Sequence, residues 1–160
     1  DLRMSRGLGD VYKRQMLKEG KVDKLYTLGM GMYAVCSEVV GGNRIGRTLD
    51  FPTINQQFGE KQLVPKRGVY STVTLIDNKT YNSITNIGVK PTVEKDIKPL
   101  AETHILDFSG NLYGKEIEVR FNKFIRDEKK FSSLDELKIQ IKKDIEYVRK
   151  QSEMSELHRL

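Results

Sequence analysis

The sequence predicts a mainly β domain, a small antiparallel sheet or closed barrel, with one C-terminal helix packed on it. Three observations carry that expectation. Between residues 33 and 122 lie several short runs rich in β-branched and aromatic residues, separated by turn-forming clusters. The run 117–122 alternates cleanly, with Ile117, Val119 and Phe121 on one side and Glu118, Arg120 and Asn122 on the other. After residue 132 the apolar period changes from two to that of a helix.

Taken in order, residues 1–15 show neither period, do not begin with methionine, and read as a non-native leader. Leu17, Leu25 and Leu28 then predict a short helix over 16–29 that stops at Gly29. The first strand is expected over 33–40. Residues 69–76 and 80–87 flank Asp77-Asn78-Lys79 and predict a hairpin. The polar stretch from Gly88 to Pro99 reads as a loop, and residues 102–108 as a strand ending at Ser109-Gly110-Asn111. Ser133 and Glu136 form a capping box. From there Leu134, Leu137, Ile141, Ile145 and Val148 mark a helix over 133–150 whose apolar face is core. The polar tail 151–160 is expected to fray. The main domain is thus placed at 30–150.

With 160 residues, the chain has the length for one domain with its own core. No apolar run reaches the roughly 20 residues needed to span a bilayer, and no secretory signal pattern is present, so the expectation is a cytoplasmic protein without a membrane partner. The single cysteine, Cys36, has no disulfide partner and is expected to pack in a buried strand. The net charge is +6, of which residues 1–15 supply +2. That balance suits an anionic ligand such as a nucleotide without requiring a nucleic acid.

The stretch 41–55 concentrates the chemistry. Gly41, Gly42 and Gly46 permit close backbone approach to an anion, and Arg44 and Arg47 add forked cationic donors. Beyond Pro52, Thr53 and Asn55 share one face if the segment is extended, so a hydroxyl and an amide carbonyl can meet one hard cation.

Four groups of residues, in order, resemble the riboflavin kinase (flavokinase) family. They are Gly46-Arg47-Thr48-Leu49 with Phe51-Pro52-Thr53 and Asn55; Gly68-Val69-Tyr70 after Pro65-Lys66; Asn86-Ile87-Gly88-Val89-Lys90-Pro91-Thr92; and Glu102-Thr103-His104-Ile105 with Asp107-Phe108, Leu112-Tyr113-Gly114 and Ile125 to Phe131. The resemblance covers roughly 17–149 and is greatest to the kinase half of bacterial bifunctional riboflavin kinase/FAD synthetases. It implies a Greek-key β-barrel with a C-terminal helix, and transfer of the ATP γ-phosphoryl group to the 5′-hydroxyl of riboflavin, giving FMN and ADP. It also implies Glu102 as catalytic base and Gly42, Gly46, Arg47, Thr48, Thr53 and Asn55 as ATP-binding residues. Thr53 and Asn55 would hold Mg2+, and Arg126, Glu128 and Phe131 would line the flavin site. His104 is expected to be structural or substrate-lining, and His158 inert.

The His-x-Gly-His signature of an N-terminal FAD synthetase domain has no match, since histidine stands only at 104 and 158. The resemblance therefore implies a fragment from which FAD synthesis is not expected. One departure is Asp50 where the family has glycine, and its side chain is expected to point to solvent. Two other classes fit parts of the pattern. A basic OB-type barrel would bind nucleic acid, but the scattered aromatics and absent tryptophan argue against a stacking platform. A flavin-binding module without catalysis is argued against by Glu102, Thr53 and Asn55.

Overall fold

The computed structural model describes residues 2–41, 51–91 and 97–158. Two helices, α1 (Leu2–Lys18) and α2 (Val22–Thr27), precede six strands: β1 (Ala34–Val40), β2 (Thr53–Gln57), β3 (Gly68–Ile76), β4 (Lys79–Pro91), β5 (Ile97–Ile105) and β6 (Glu116–Arg126). Helix α3 (Leu134–Leu157) follows. The strands close into an antiparallel barrel in the order β1-β2-β5-β4-β3-β6. Within it β3, β4 and β5 are consecutive neighbours and β6 returns beside β3, which is the Greek-key arrangement.

The β3–β4 hairpin turns on Asp77 and Asn78, both with positive φ (49° and 64°), as a two-residue turn matched to strand twist requires. Strand β4 runs on to Pro91, and β5 begins at Ile97, with Gly88 paired to Leu100 and Pro91 to Ile97. The loop expected over Gly88–Pro99 is thus a continuation of the ladder at both ends. Its prolines are tolerated because neither end is flanked on both sides. β3 pairing with β4 stops at Ile87, and β2 pairing with β5 stops at Leu100.

The barrel interior is filled from one end by the helices. Met16 and Leu17 of α1 and Val22 and Leu25 of α2 are buried in one cluster with Tyr33, Val35, Tyr70 and Phe121. Tyr70 and Phe121 meet edge to face at 5.2 Å, and Tyr33 meets Phe121 at 5.3 Å. The two phenols donate to the Leu63 and Lys66 carbonyls, and burial pushes both above the usual tyrosine range. Instead of one helix over 16–29, the chain turns at Gly20 (φ 75°), where a side chain would press on Phe124 and the Tyr70 hydroxyl. Residues 2–15, read as lacking helical period, belong to α1. Leu8, Val11, Tyr12 and Met16 recur at helical spacing in the sequence, although Val11 and Tyr12 are exposed.

Three further expectations change. Cys36 is exposed, because strand alternation turns Val35 and Val39 inward and Cys36 outward. Its desolvation, then the Glu116 carboxylate beside it, push the thiol pKa up, so it is a poor nucleophile. Helix α3 continues to Leu157, well into the tail expected to fray. Its stripe is only partly core: Asp144 and Val148 are buried, while Leu134 is 54% exposed. The cause is that α3 lies on the outer face of the barrel, where Val148 and Ile145 pack on Val69, Ile84 and Leu106. Ser133 caps the helix as expected, accepting from the Glu136 amide at 3.2 Å, while the Glu136 carboxylate accepts from the Ser132 amide.

Candidate active site

Neighbouring residues in a ladder share a face, with Cβ atoms about 5 Å apart. Two ladders set the centre of the site. Asn55 on β2 is opposite Glu102 on β5, and Glu102 is opposite Asn86 on β4. The same ladders place Ile54, Thr103 and Thr85 in the adjacent row, and Thr85 and Thr103 are buried and bonded to each other inside the barrel. By alternation the Asn55–Glu102–Asn86 row lies on the outer face, the face that α3 partly covers.

The two amides flanking Glu102 have something in common. The carboxamide oxygens of Asn55 and Asn86 are both buried and, among the described residues, without a hydrogen-bond partner. Leaving such an oxygen unmade costs about 1–3 kcal/mol, so each is an acceptor awaiting a donor or a cation.

Beside Asn55, a cavity of about 600 Å³ opens between the end of β1 and the β5–β6 connection. Val40, Gly41, Thr53 and Asn55 line one side, and Phe108, Asn111 and Tyr113 the other. The far wall is fixed locally: Asn111 Oδ1 accepts from the Tyr113 amide at 3.0 Å, and the Gly114 amide donates to the Val39 carbonyl. His104, opposite Thr53, places an Nδ1 donor 2.9 Å from the Pro52 carbonyl and packs edge to face on Phe51. It therefore fixes the entry to β2. No acid–base pairing with Glu102 is needed to explain it.

The segment after β6 behaves differently from a simple pocket lining. Arg126 is held by Asp144 of α3 through three contacts of 2.8–3.3 Å, and Gln140 also donates to Asp144. The pair is largely buried, so it ties α3 to the barrel, and the Arg126 guanidinium is engaged there. Glu128 accepts from Arg67 at 3.1 Å and from Asn86 at 3.3 Å. Phe131 is half-buried just before the α3 cap.

The structure thus brings Thr53, Asn55 and Glu102 together and places Glu128 two steps away through Asn86. Gly42, Gly46, Arg47, Thr48 and Asp50 lie outside the described residues. Asn86 had no role assigned from sequence. Its signal was present in the Asn86-Ile87-Gly88 run, but only the register shows that it stands beside Glu102.

For a divalent cation, the donors are neutral oxygens. Among the described residues there is no cluster of three His, Cys, Asp or Glu side chains able to hold a metal. The buried, unpartnered Asn55 oxygen next to the Thr53 hydroxyl on one strand face fits a cation whose remaining ligands are phosphate oxygens and water.

Comparisons with known proteins converge. The family model described as "Flavokinase: Riboflavin kinase" matches residues 30–152. The chain is similar to the bifunctional riboflavin kinase/FMN adenylyltransferase of Haemophilus influenzae, at 43% identity over 115 residues, covering 71% of this chain and 37% of that protein. The protein of the same description from Bacillus subtilis is 36% identical over 135 residues, covering 83% and 43%. That from Escherichia coli is 39% identical over 132 residues, covering 82% and 42%. The chain spans about two fifths of the length of these relatives. A crystal structure described as a macrolide-efflux protein from Streptococcus pneumoniae is 32% identical, with a TM-score of 0.78 over 85% of this chain and 44% of that one. No described helix here is long and apolar enough to cross a membrane.

Proposed function

The chain belongs to the riboflavin kinase family, and from that premise we propose that it transfers the γ-phosphoryl group of ATP to the ribityl 5′-hydroxyl of riboflavin, giving FMN and ADP. The observation that carries the proposal is the Asn55–Glu102–Asn86 row beside the cavity that Thr53 and Asn55 line.

An alcohol attacks phosphorus only if its proton has somewhere to go. Glu102 takes that proton as the ribityl oxygen forms its bond to the γ-phosphorus. The bond from phosphorus to the β,γ-bridging oxygen breaks, and ADP leaves with the electron pair. A positioned base contributes about 10²–10⁴ in rate. The nucleotide occupies the cavity that Gly41, Thr53 and Asn55 line, and Gly42, Gly46, Arg47 and Thr48 are the residues assigned to its phosphates. Thr53 and Asn55 would hold Mg2+, which when bound supplies charge neutralisation at the β- and γ-phosphates. The flavin lies toward the segment after β6. There Arg126 acts through Asp144 by holding α3 in place, and Glu128 and Phe131 are the residues assigned to the flavin.

The kinase unit is placed at 30–150, with residues 16–29 as a linker remnant and 151–160 as a tail. The cytoplasmic location belongs to the same proposal. The test is FMN formation by the full chain from riboflavin and Mg-ATP, followed by chromatography, with Glu102→Gln alongside. The expected result is turnover that falls at least about a hundredfold in the variant. Turnover that survives Glu102→Gln would remove the base, and wild-type protein that neither forms FMN nor binds riboflavin would remove the function.

A further inference from the structure

The site has two orphan amide oxygens, and the reaction as described uses only one. Asn55 stands on the cavity side of Glu102, next to Thr53. Asn86 stands on the opposite side, one strand further round the barrel. Across two strand spacings the Asn55 and Asn86 backbones are about 10 Å apart, so one cation is not their common ligand.

Asn86 is also oriented. Its Nδ2 donates to Glu128 Oε1 at 3.3 Å, and Glu128 Oε2 accepts from Arg67 Nη2 at 3.1 Å. With one amide N–H given to a carboxylate, the unpaired acceptor end is the oxygen. Room for this arrangement comes from Gly88, two residues on and on the same face of β4. A Cβ at Gly88 would lie 2.6 Å from Glu128 Oε1 and 3.5 Å from Asn86 Nδ2.

We propose that Asn86 is a binding residue for the polyol chain of the phosphoryl acceptor, accepting a hydrogen bond from a hydroxyl adjacent to the reacting one, and that Glu128, held by Arg67 and admitted by Gly88, is its positioning residue. This deepens the kinase reading and rests on it. The row then reads in the order of the reaction: Asn55 on the donor side, Glu102 at the proton, Asn86 on the acceptor side. A hydroxyl-bearing chain suits that position because Asn86 is only about 5 Å from Glu102 in the ladder. The ring, at the far end of the chain, lies beyond it. Glu128 thereby acts on substrate through Asn86 instead of touching the ring.

The test compares riboflavin with lumiflavin, which carries the same ring with a methyl group in place of the ribityl chain. Binding to the full chain is followed by quenching of flavin fluorescence. Asn86→Ala is expected to weaken riboflavin by about tenfold, roughly the worth of one neutral hydrogen bond, and to leave lumiflavin within about twofold. Gly88→Ala, in which the displaced atom is the far end of the flexible Glu128 side chain, keeps the fold and is expected to show the same selectivity at smaller size. A structural role for Asn86 would weaken both ligands alike. Equal losses, or no loss for riboflavin in either variant, would overturn the proposal while wild-type turnover leaves the kinase assignment standing. Wild-type protein that forms no FMN and binds neither flavin would overturn the kinase reading and this proposal with it.

Discussion

The two faces of the barrel treat buried polar groups in opposite ways. Inside, Thr72, Thr74, Ser83, Thr85 and Thr103 are buried, yet they form a continuous hydroxyl ladder with contacts of 2.8–2.9 Å. Outside, the row through Glu102 leaves the Asn55 and Asn86 oxygens with no partner. Polar groups that satisfy one another specify a fold, and polar groups left unmade at a surface cleft mark a place for a ligand. Gln56 is the interior exception. Its Nε2 donates to the Ser37 and Ile117 carbonyls across three strands, and its Oε1 is left unpaired.

The comparison breaks most visibly at Asn55. Asn55→Ala removes a buried oxygen that no described residue satisfies, so folding should lose little. The ATP Michaelis constant should rise about tenfold or more, as expected when a charge-assisted contact to the metal-nucleotide is lost. Steady-state kinetics and urea unfolding on the same preparation check both halves. A lowered unfolding midpoint with an unchanged Michaelis constant would place Asn55 with the interior ladder.

The interior should give the mirror image. Thr72→Val keeps shape but removes the hydroxyl that bonds both Ser83 and Thr85. Those two retain Thr74 and Thr103, so the loss should be about 1–3 kcal/mol of stability. The turnover of the folded protein should not change. A selective loss of activity without a stability change would show that the ladder serves the site.

How far this was legible in the sequence depends on which signal each part uses. The β3–β4 hairpin, the inward residues of β6 and the Ser133 cap are local features, written in turn residues and period. The ends of β4 and β5 were misread because Pro91 and Pro99 look like breakers until the neighbouring strands are seen to stop short of them. Helix α1 was missed although Met4, Leu8, Val11 and Tyr12 stand at helical spacing, because Gly7 and Gly9 interrupt the run and no acidic residue marks its first turn. At the site, Thr53, Asn55 and Glu102 were named through short motifs. Asn86 became visible only through register, a long-range property, and the Arg126–Asp144 pair joins residues 18 apart in sequence across two elements.

The smallest expected effect tests the outer face where it is purely structural. Arg149 of α3 makes two hydrogen bonds, 2.8 and 3.0 Å, to Asp107 at the start of the connection that lines the cavity. The Arg149 hydrogen bond, and then its charge, hold the Asp107 carboxyl below the usual aspartate range. A carboxyl whose folded pKa is depressed binds its proton more readily in the unfolded chain. Its contribution is therefore full above the unfolded value of about 4 and is lost as pH falls through the folded one. Both side chains are largely exposed, so the contribution is small and salt-sensitive. Asp107 also has a positive φ of 57°, which asparagine tolerates, so Asp107→Asn removes the charge without straining the turn. Wild type should unfold at slightly higher urea than Asp107→Asn at pH 7 in low salt, and the two midpoints should converge as pH is lowered past 4 or salt is raised. A gap that persists in acid would mean that the asparagine changes the turn itself, and that the ion pair is not what joins α3 to this loop.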